Sequence, residues 1–531
     1  MAGNELFKLN KKEPLLTIGL LVGSRKDTLN KCLSSLTHLR ENVDSELVVV
    51  VTSRDDSLFE EISAYTDKVF YFKWIDDFAA ARNECLKYAN GKWFMYLDDD
   101  EWFEDTAEIE DFFATEKYKK YEACWYVQRN YHEAAGLTYS DDYVSRMRRL
   151  SKGVRFVSTI HEYIEPYTDN YYYVHSYVHH FGYVYEDDKA KYKHYYRNIN
   201  LLKKMLIKEP GQLRWWMHIV QEYWSVKEYE KLRDFCNQAF DNFKDISKKV
   251  IGRDIASFYM AVIESCYNEY DYEEAINWGQ KALNDGRLYE LGAATVYETM
   301  ARSYIALGDM DKVAENCQKY FEIYEMMKDR ESDIVDQSGF LLDETFERKY
   351  YEEVCWFMVK AAIAAGDKKA LKEYLDRIEW EDQYLYVSSD SDVPEVVSFL
   401  AESDSEKWYA DVAESIMARS IYIDVVVDII KEYEKKASEG DKISKGNFER
   451  IARIMIDTSS RHYYIEYLRV LFGEATEASL YNILVSDTGA LNYGDNFWEQ
   501  LQEKNINLEK VIEKVDFEKW KALVEQNCSA F

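Results

Sequence analysis

The sequence predicts an α/β domain followed by an all-α region, on three observations. Buried-strand patterns alternate with helical ones from residue 15 to about residue 101, which argues a parallel sheet with helices on both faces. Short, aromatic-rich, alternating pieces fill residues 121–185 and read as antiparallel strands added to that sheet. From about residue 187 the pattern is helical to the end, with internal repeats.

The elements follow in order. Residues 15–22 are an apolar run and read as the first strand, and the preceding Lys11 and Lys12 lack the small-residue cleavage site of a signal peptide. Residues 28–40 place Leu29, Cys32, Leu33 and Leu36 at helical spacing. Residues 46–51, rich in Val, and residues 69–73 give the second and third strands. Asp77 is an N-cap for an Ala-rich helix, with Gly91 suited to its C′ position. Residues 93–97 form a fourth buried strand. Residues 123–129, 143–150, 154–158 and 171–181 supply the added strands.

In the helical half, Glu228–Leu232, Asp271–Ala275, Gly308–Val313 and Gly366–Leu371 each separate two helices. The preceding helices carry aromatic pairs: Trp216 with Tyr223, Tyr259 with Tyr267, and Tyr297 with Tyr304. This resembles degenerate tetratricopeptide (TPR) repeats in an α-solenoid, the spacing drifting from about 38 to about 58 residues against the usual ~34. The widest interval holds an acidic insertion at residues 329–348. The expected domains are residues 1–205, residues 206–385 with the repeats, and a C-terminal helical region over residues 386–531.

Composition excludes several classes. With 47% hydrophobic and 16% aromatic residues the chain is not globally disordered. A net charge of −31 argues against a nucleic-acid partner or an anionic membrane, both of which need a basic footprint. The 8 cysteines are scattered without Cys-x-x-Cys, as expected of buried thiols in a reducing compartment, and no apolar run reaches the ~18 residues of a membrane span. The expected location is cytoplasmic. There is no Gly-x-Gly-x-x-Gly, Walker A or Gly-x-Ser-x-Gly sequence.

One feature speaks directly to chemistry. Asp98-Asp99-Asp100-Glu101 follows the fourth strand, where ligands of open α/β sheets bind. Crowded carboxylates raise one another's pKa, and a divalent cation removes that cost. An EF-hand is excluded, because Phe103 and Ile109 stand where Gly and Glu are needed. Arg82 lies early in the helix after Asp77, near the positive dipole end, a good place for an anion.

The combination Asp77-Phe78-Ala79-Ala80-Ala81-Arg82-Asn83, Gly91-Lys92-Trp93 and Asp98-Asp99-Asp100-Glu101 resembles the family 2 glycosyltransferases of the GT-A fold, over roughly the first 200 residues. The resemblance implies a Rossmann-like mixed sheet and inverting transfer from a nucleotide-diphospho-sugar. It implies donor contacts from Asp77, Arg82, Asp98 and Asp99, with Asp98 at the ribose. Asp100 is then a ligand of Mn2+ or Mg2+ bridging the two phosphates.

Five of 9 histidines fall between positions 161 and 194. Strand alternation puts His175 and His179 on one face and His180 on the other. His180-Phe181-Gly182-Tyr183 resembles the family's C-terminal His-aromatic-Gly-Tyr element, which makes His180 a metal ligand and favours Mn2+. Thr159-Ile160-His161-Glu162 follows the basic segment Arg146-Met147-Arg148-Arg149, as in repeat-bearing family members. Glu162 is the candidate base, the alternative being a structural ion pair with one of those arginines. Arg146 and Arg148, on one face by alternation, are candidates for offsetting diphosphate charge.

The base-binding aspartate that family members carry after the second strand is replaced by Val51, leaving Ser53, Asp55 or backbone groups for that task. The first strand also ends in an atypical Val22-Gly23-Ser24-Arg25. Architecturally similar enzymes glycosylate bacterial peptides and proteins. The expected partners are a UDP-sugar and a peptide, protein or glycan acceptor, with the helical half binding acceptor or forming a homodimer. The alternative is a non-catalytic GT-A scaffold carrying a peptide-binding helical module.

Overall fold

The computed structural model describes residues 13–378 except 24, 25, 183, 186 and 343, together with residues 420–472 and positions 396–398, 401, 413 and 479. Ser24, Arg25, Tyr183, Cys528 and much of the expected C-terminal region lie outside the described residues. The chain divides into two compact units, Met1–Leu232 and Arg233–Phe531.

The first unit is built on a mixed eight-stranded sheet. Its strands, with those of a small second sheet, are β1 Leu16–Val22, β2 Ser45–Val51, β3 Val69–Tyr71, β4 Trp93–Asp98, β5 Glu101–Phe103, β6 Ala123–Tyr131, β7 Tyr139–Arg149, β8 Arg155–Val157, β9 Tyr163–Glu165 and β10 Tyr171–His180. The helices are α1 Lys26–Ser35, α2 Thr37–Asn42, α3 Asp56–Ser63, α4 Phe78–Lys87, α5 Ala107–Ala114, α6 Asp188–Lys208 and α7 Leu213–Ser225. The main sheet runs β3-β2-β1-β4-β7-β6-β10-β5. β1, β2, β3 and β4 are mutually parallel, as the alternating pattern predicts.

The added half differs from expectation in two ways. β10 pairs with β6 in parallel, while β7 runs antiparallel to both β4 and β6. β8 does not join the main sheet but pairs with β9 in a two-stranded ribbon. The ribbon is held from α4, where Asn83 both donates to the Phe156 carbonyl (2.9 Å) and accepts from its N–H (2.8 Å). The predicted helix over 28–40 is two helices, α1 and α2, and still buries Leu29, Cys32, Leu33 and Leu36.

Apolar cores cover both faces of the sheet. Leu16, Ile18, Leu20, Trp93, Met95 and Leu97 pack one side with Phe112 and Met147. Leu21, Val48, Val50, Phe94 and Tyr96 pack the other with Ala79, Ala81 and Cys85 of α4. Strands buried on both faces read as continuous apolar runs, which is why β1, β2 and β4 were legible. Gly91 is not the C′ residue of α4, which ends at Lys87 with Tyr88 as its cap. It is needed because a Cβ there would lie 2.5 Å from the Thr17 backbone nitrogen.

From Tyr229 the described chain is helical: α8 Tyr229–Asn242, α9 Lys248–Asn268, α10 Tyr272–Asp285, α11 Glu290–Leu307, α12 Met310–Met327, α13 Glu331–Gln337, α14 Arg348–Ala365 and α15 Lys368–Leu375, then Ser420–Ser438, Lys442–Ile456 and Tyr463–Phe472. The repeat separators are real helix boundaries. Asp271, Asp309 and Asp367 cap α10, α12 and α15, and Gly308 and Gly366 end α11 and α14 in the left-handed conformation that glycine adopts without cost. The acidic insertion contributes α13. No helix among the described residues is long and apolar enough to cross a membrane.

Candidate active site

The acidic tetrad sits at the carboxyl end of β4, in the position the sequence predicts. Asp98 closes the strand, Asp99 and Asp100 make the turn, and Glu101 opens β5. The neighbouring α4 brings the cations. Asp77 accepts from the Ala80 N–H (2.8 Å), so the predicted N-cap forms and fixes the start of the helix. One turn on, Arg82 reaches the tetrad: Nη2 donates to both Asp98 oxygens at 2.9 Å, and Nε donates to Glu162. Arg146 of β7 lies 3.5 Å from Asp98 Oδ2 and 3.0 Å from Glu101 Oε1. The Tyr96 ring centroid lies 4.7 Å from each guanidinium Cζ.

This packing sets the charges. Burial alone would raise the Asp98 pKa, but Arg82 and Arg146 outweigh it and hold the group at about 2. Glu101 is fully buried, and burial pushes its pKa up against the pull of Arg146. It accepts from Gln128 and from the Asp98 N–H (2.9 Å), so it braces the turn. Arg82 and Arg146 remain charged, because their carboxylate neighbours more than offset burial.

Asp99 ties the turn to the end of β1, accepting from the Gly23 N–H (2.8 Å) through Oδ2 and from Thr28 Oγ1 (2.6 Å) through its carbonyl. Asp100, in the turn, and His180, at the end of β10, converge. A Cβ on Gly182 would fall 2.3 Å from His180 Nε2 and 3.2 Å from Asp100 Oδ2, so both atoms border one small space that glycine leaves open. The donor set, one carboxylate and one imidazole, fits Mn2+. Among the described residues no group of three or more His, Cys, Asp or Glu side chains is arranged to hold a metal. One or two protein ligands, with substrate phosphates completing the shell, is a common arrangement for such ions.

Glu162 follows a strained loop. Ser158 and His161 have φ of +80° and +50°, which non-glycine residues seldom adopt. The loop is pinned all round. The Phe78 N–H donates to the Thr159 carbonyl (2.9 Å), Arg214 Nη2 donates to the His161 carbonyl (2.7 Å), and the His161 ring stacks on His218 with centroids 3.7 Å apart. Burial lowers both histidine pKa values, His218 to about 4, so the stacked rings are neutral near pH 7.

Of the predicted residues, Arg82, Asp98, Arg146 and Glu162 thus form one bonded cluster, with Asp99, Asp100 and His180 beside it and Asp77 at the root of α4. Arg148 does not join them. It pairs with Phe94, two positions before Tyr96 on β4, and donates to the carbonyls of Glu122 (3.0 Å) and Pro166 (3.1 Å). Same-face positions on a strand are roughly 7 Å apart, so only Arg146 reaches the tetrad. Glu162 does form an ion pair, but with Arg82 rather than with the 146–149 segment. Asp55 caps α3, accepting from the Ser57 N–H (3.0 Å). His179 meets Tyr131 (2.7 Å), whereas His180 meets Asn130 (2.7 Å), as alternation requires.

Sequence reasoning missed Gln128, Asn130, Arg214 and His218. A signal existed for the first two: alternation puts both amides on the strand face that also carries Cys124 and Tyr126. Nothing local pointed to Arg214 or His218, which act through α7.

The family model described as Glycosyl transferase family 2 matches residues 22–167, which hold the tetrad, Arg82 and Glu162. The chain carries a family 2 glycosyltransferase domain. It is 28% identical over 245 residues to the SPbeta prophage-derived glycosyltransferase SunS of Bacillus subtilis (strain 168), a match covering 44% of this chain and 54% of SunS. The chain thus spans about half the length of the curated relative it matches. A TPR repeat-containing protein of Synechococcus elongatus is 28% identical over 158 residues, 28% of this chain and 35% of that one. The crystal structure of S. aureus TarS aligns over 56% of this chain and 54% of its own at 11% identity and a TM-score of 0.25, a likeness too low to bear on fold or function. The glycosyltransferase domain therefore rests on its motifs and its sheet, with His180 lying beyond the matched residues.

Proposed function

We propose that the protein is a metal-dependent, inverting glycosyltransferase that moves a sugar from a nucleotide-diphospho-sugar, a UDP-sugar by preference, to a peptide, protein or glycan acceptor. The observation that carries this reading is the convergence of Asp100 Oδ2 and His180 Nε2 on one space beside the Arg82–Asp98 pair. When bound there, Mn2+ or Mg2+ would neutralise the departing diphosphate as a Lewis acid.

The chain's own groups do the rest. Asp98, ionised and held by two arginines, accepts hydrogen bonds from ribose hydroxyls. Arg82 and Arg146 offset part of the carboxylate charge that would otherwise repel a diphosphate, in a chain of net charge −31. Glu162 takes the proton from the acceptor as its nucleophile forms a bond to the anomeric carbon on the face opposite the diphosphate. The bond to the diphosphate oxygen breaks, its electron pair leaves with the nucleotide, and the configuration inverts. The helical region presents the acceptor, since helical repeats offer extended binding surfaces. The seven buried, unlinked cysteines among the described residues accord with a cytoplasmic location.

Nucleotide release from a panel of sugar nucleotides, with Mn2+ or with EDTA, tests this. We expect release that requires the metal and is lost in Asp100→Asn. A protein that neither binds UDP nor turns over a donor in Mn2+ is the scaffold of the alternative reading.

A further inference from the structure

His180 is held from behind by a short chain of hydrogen bonds whose polarity can be worked out. β10 and β6 run parallel with His180 opposite Asn130, and β7 lies on the far side of β6. Asn130 Nδ2 donates to Asp142 Oδ2 at 2.8 Å, and Asn130 Oδ1 lies 2.7 Å from His180 Nδ1. A carboxylate only accepts, so the amide must turn its NH2 toward Asp142. Its oxygen then faces His180, and because that oxygen also only accepts, the ring proton must sit on Nδ1. A neutral imidazole protonated at Nδ1 carries its lone pair on Nε2, the atom bordering the space beside Gly182 and Asp100. Asn130 is only 6% exposed, in a strand position that asparagine disfavours, so its burial calls for a task.

We propose that Asn130, oriented by Asp142, is a positioning residue: it fixes His180 in the tautomer and ring orientation in which Nε2 ligates a divalent cation shared with Asp100. The inference rests on the metal-dependent reading above and adds to it the outer groups that tune the site. Such partners change metal affinity by about 10- to 100-fold when removed.

The test is Mn2+ affinity of the full chain, measured by electron paramagnetic resonance with Mn2+ alone and with Mn2+ plus UDP, alongside the melting temperature. Asn130→Ala should weaken Mn2+ binding about 10- to 100-fold. The paired change Asn130→Asp with Asp142→Asn reverses donor and acceptor between the two strands but still gives Nδ1 an acceptor. It should restore affinity to within about threefold of wild type, well inside the 10-fold loss expected on removing the contact. A structural latch alone predicts a lower melting temperature with unchanged Mn2+ affinity. Unchanged affinity in Asn130→Ala, or a paired variant that folds yet binds as weakly as the alanine variant, overturns the proposal. If wild type binds Mn2+ and Asp100→Asn abolishes it while Asn130→Ala does not, only this inference fails. If wild type binds no Mn2+ with or without UDP, the metal-dependent reading fails with it.

Discussion

Two clusters in this protein bury arginine among three carboxylates, and they resolve the same problem differently. In the first unit Arg82 and Arg146 face Asp98, Glu101 and Glu162. In the second unit a single arginine, Arg302, bonds Glu264, lies 3.3 Å from Glu298, and feels Glu353. With two cations to three acids, Asp98 is held at about 2, while burial raises the pKa of Glu101 beside it. At Glu298, where Arg302 is the cation acting against burial, burial wins and the pKa is pushed up to about 7. Asp98 therefore stays ionised near neutral pH, with Asp99 and Asp100 following it in the turn, as the proposed function requires.

Breaking the first cluster should have the largest effect. Arg82→Met strands Asp98 and Glu162 without their shared cation, and losing one partner of a buried pair costs about 3–5 kcal/mol. Urea unfolding should register that loss, together with loss of UDP binding.

Asp98 and Glu298 should also answer to pH in opposite directions. Glu298 has a raised pKa in the folded state, so its contribution is present at low pH and is lost as pH rises from about 4.5 through about 7. Glu298→Gln, which mimics the protonated form, should therefore gain on wild type between pH 5 and pH 8 by up to about 3 kcal/mol. Asp98 is depressed, so it stabilises above its ordinary pKa of 3.8 and loses that contribution as pH falls toward 2. Asp98→Asn should cost on the order of 2 kcal/mol at pH 7 and almost nothing at pH 2. Urea midpoints across pH for both variants check the signs; a shared direction would refute the contrast. The smallest effect belongs to Arg148. Because it serves backbone carbonyls away from the tetrad, Arg148→Gln should leave UDP affinity unchanged while lowering stability by about 1 kcal/mol or more.

What the sequence disclosed was local chemistry. Asp77 as a cap, the end of β4 at Asp98, and the Asp and Gly boundaries of the helical repeats all follow from groups within a few residues of one another. What it hid depends on distant partners. Gly91 reads as a helix terminator, yet its constraint is the approach of β1. Residues 154–158 alternate like a sheet strand, but their pairing with β9 and their hold on Asn83 are tertiary. Arg82 and Glu162 are 80 positions apart, so the ion pair was foreseen with the wrong arginine. The candidate site was legible as residue types, and the order in which they bond was not.

On the proposed function, the edge of β4 gathers its acids to hold a cation and a nucleotide diphosphate. Anomalous diffraction from crystals grown with Mn2+ and UDP tests it most directly. We expect a manganese peak within bonding distance of Asp100 and His180 Nε2, with the diphosphate completing its shell. A map showing manganese absent there, or bound elsewhere with UDP away from Asp98, would contradict it.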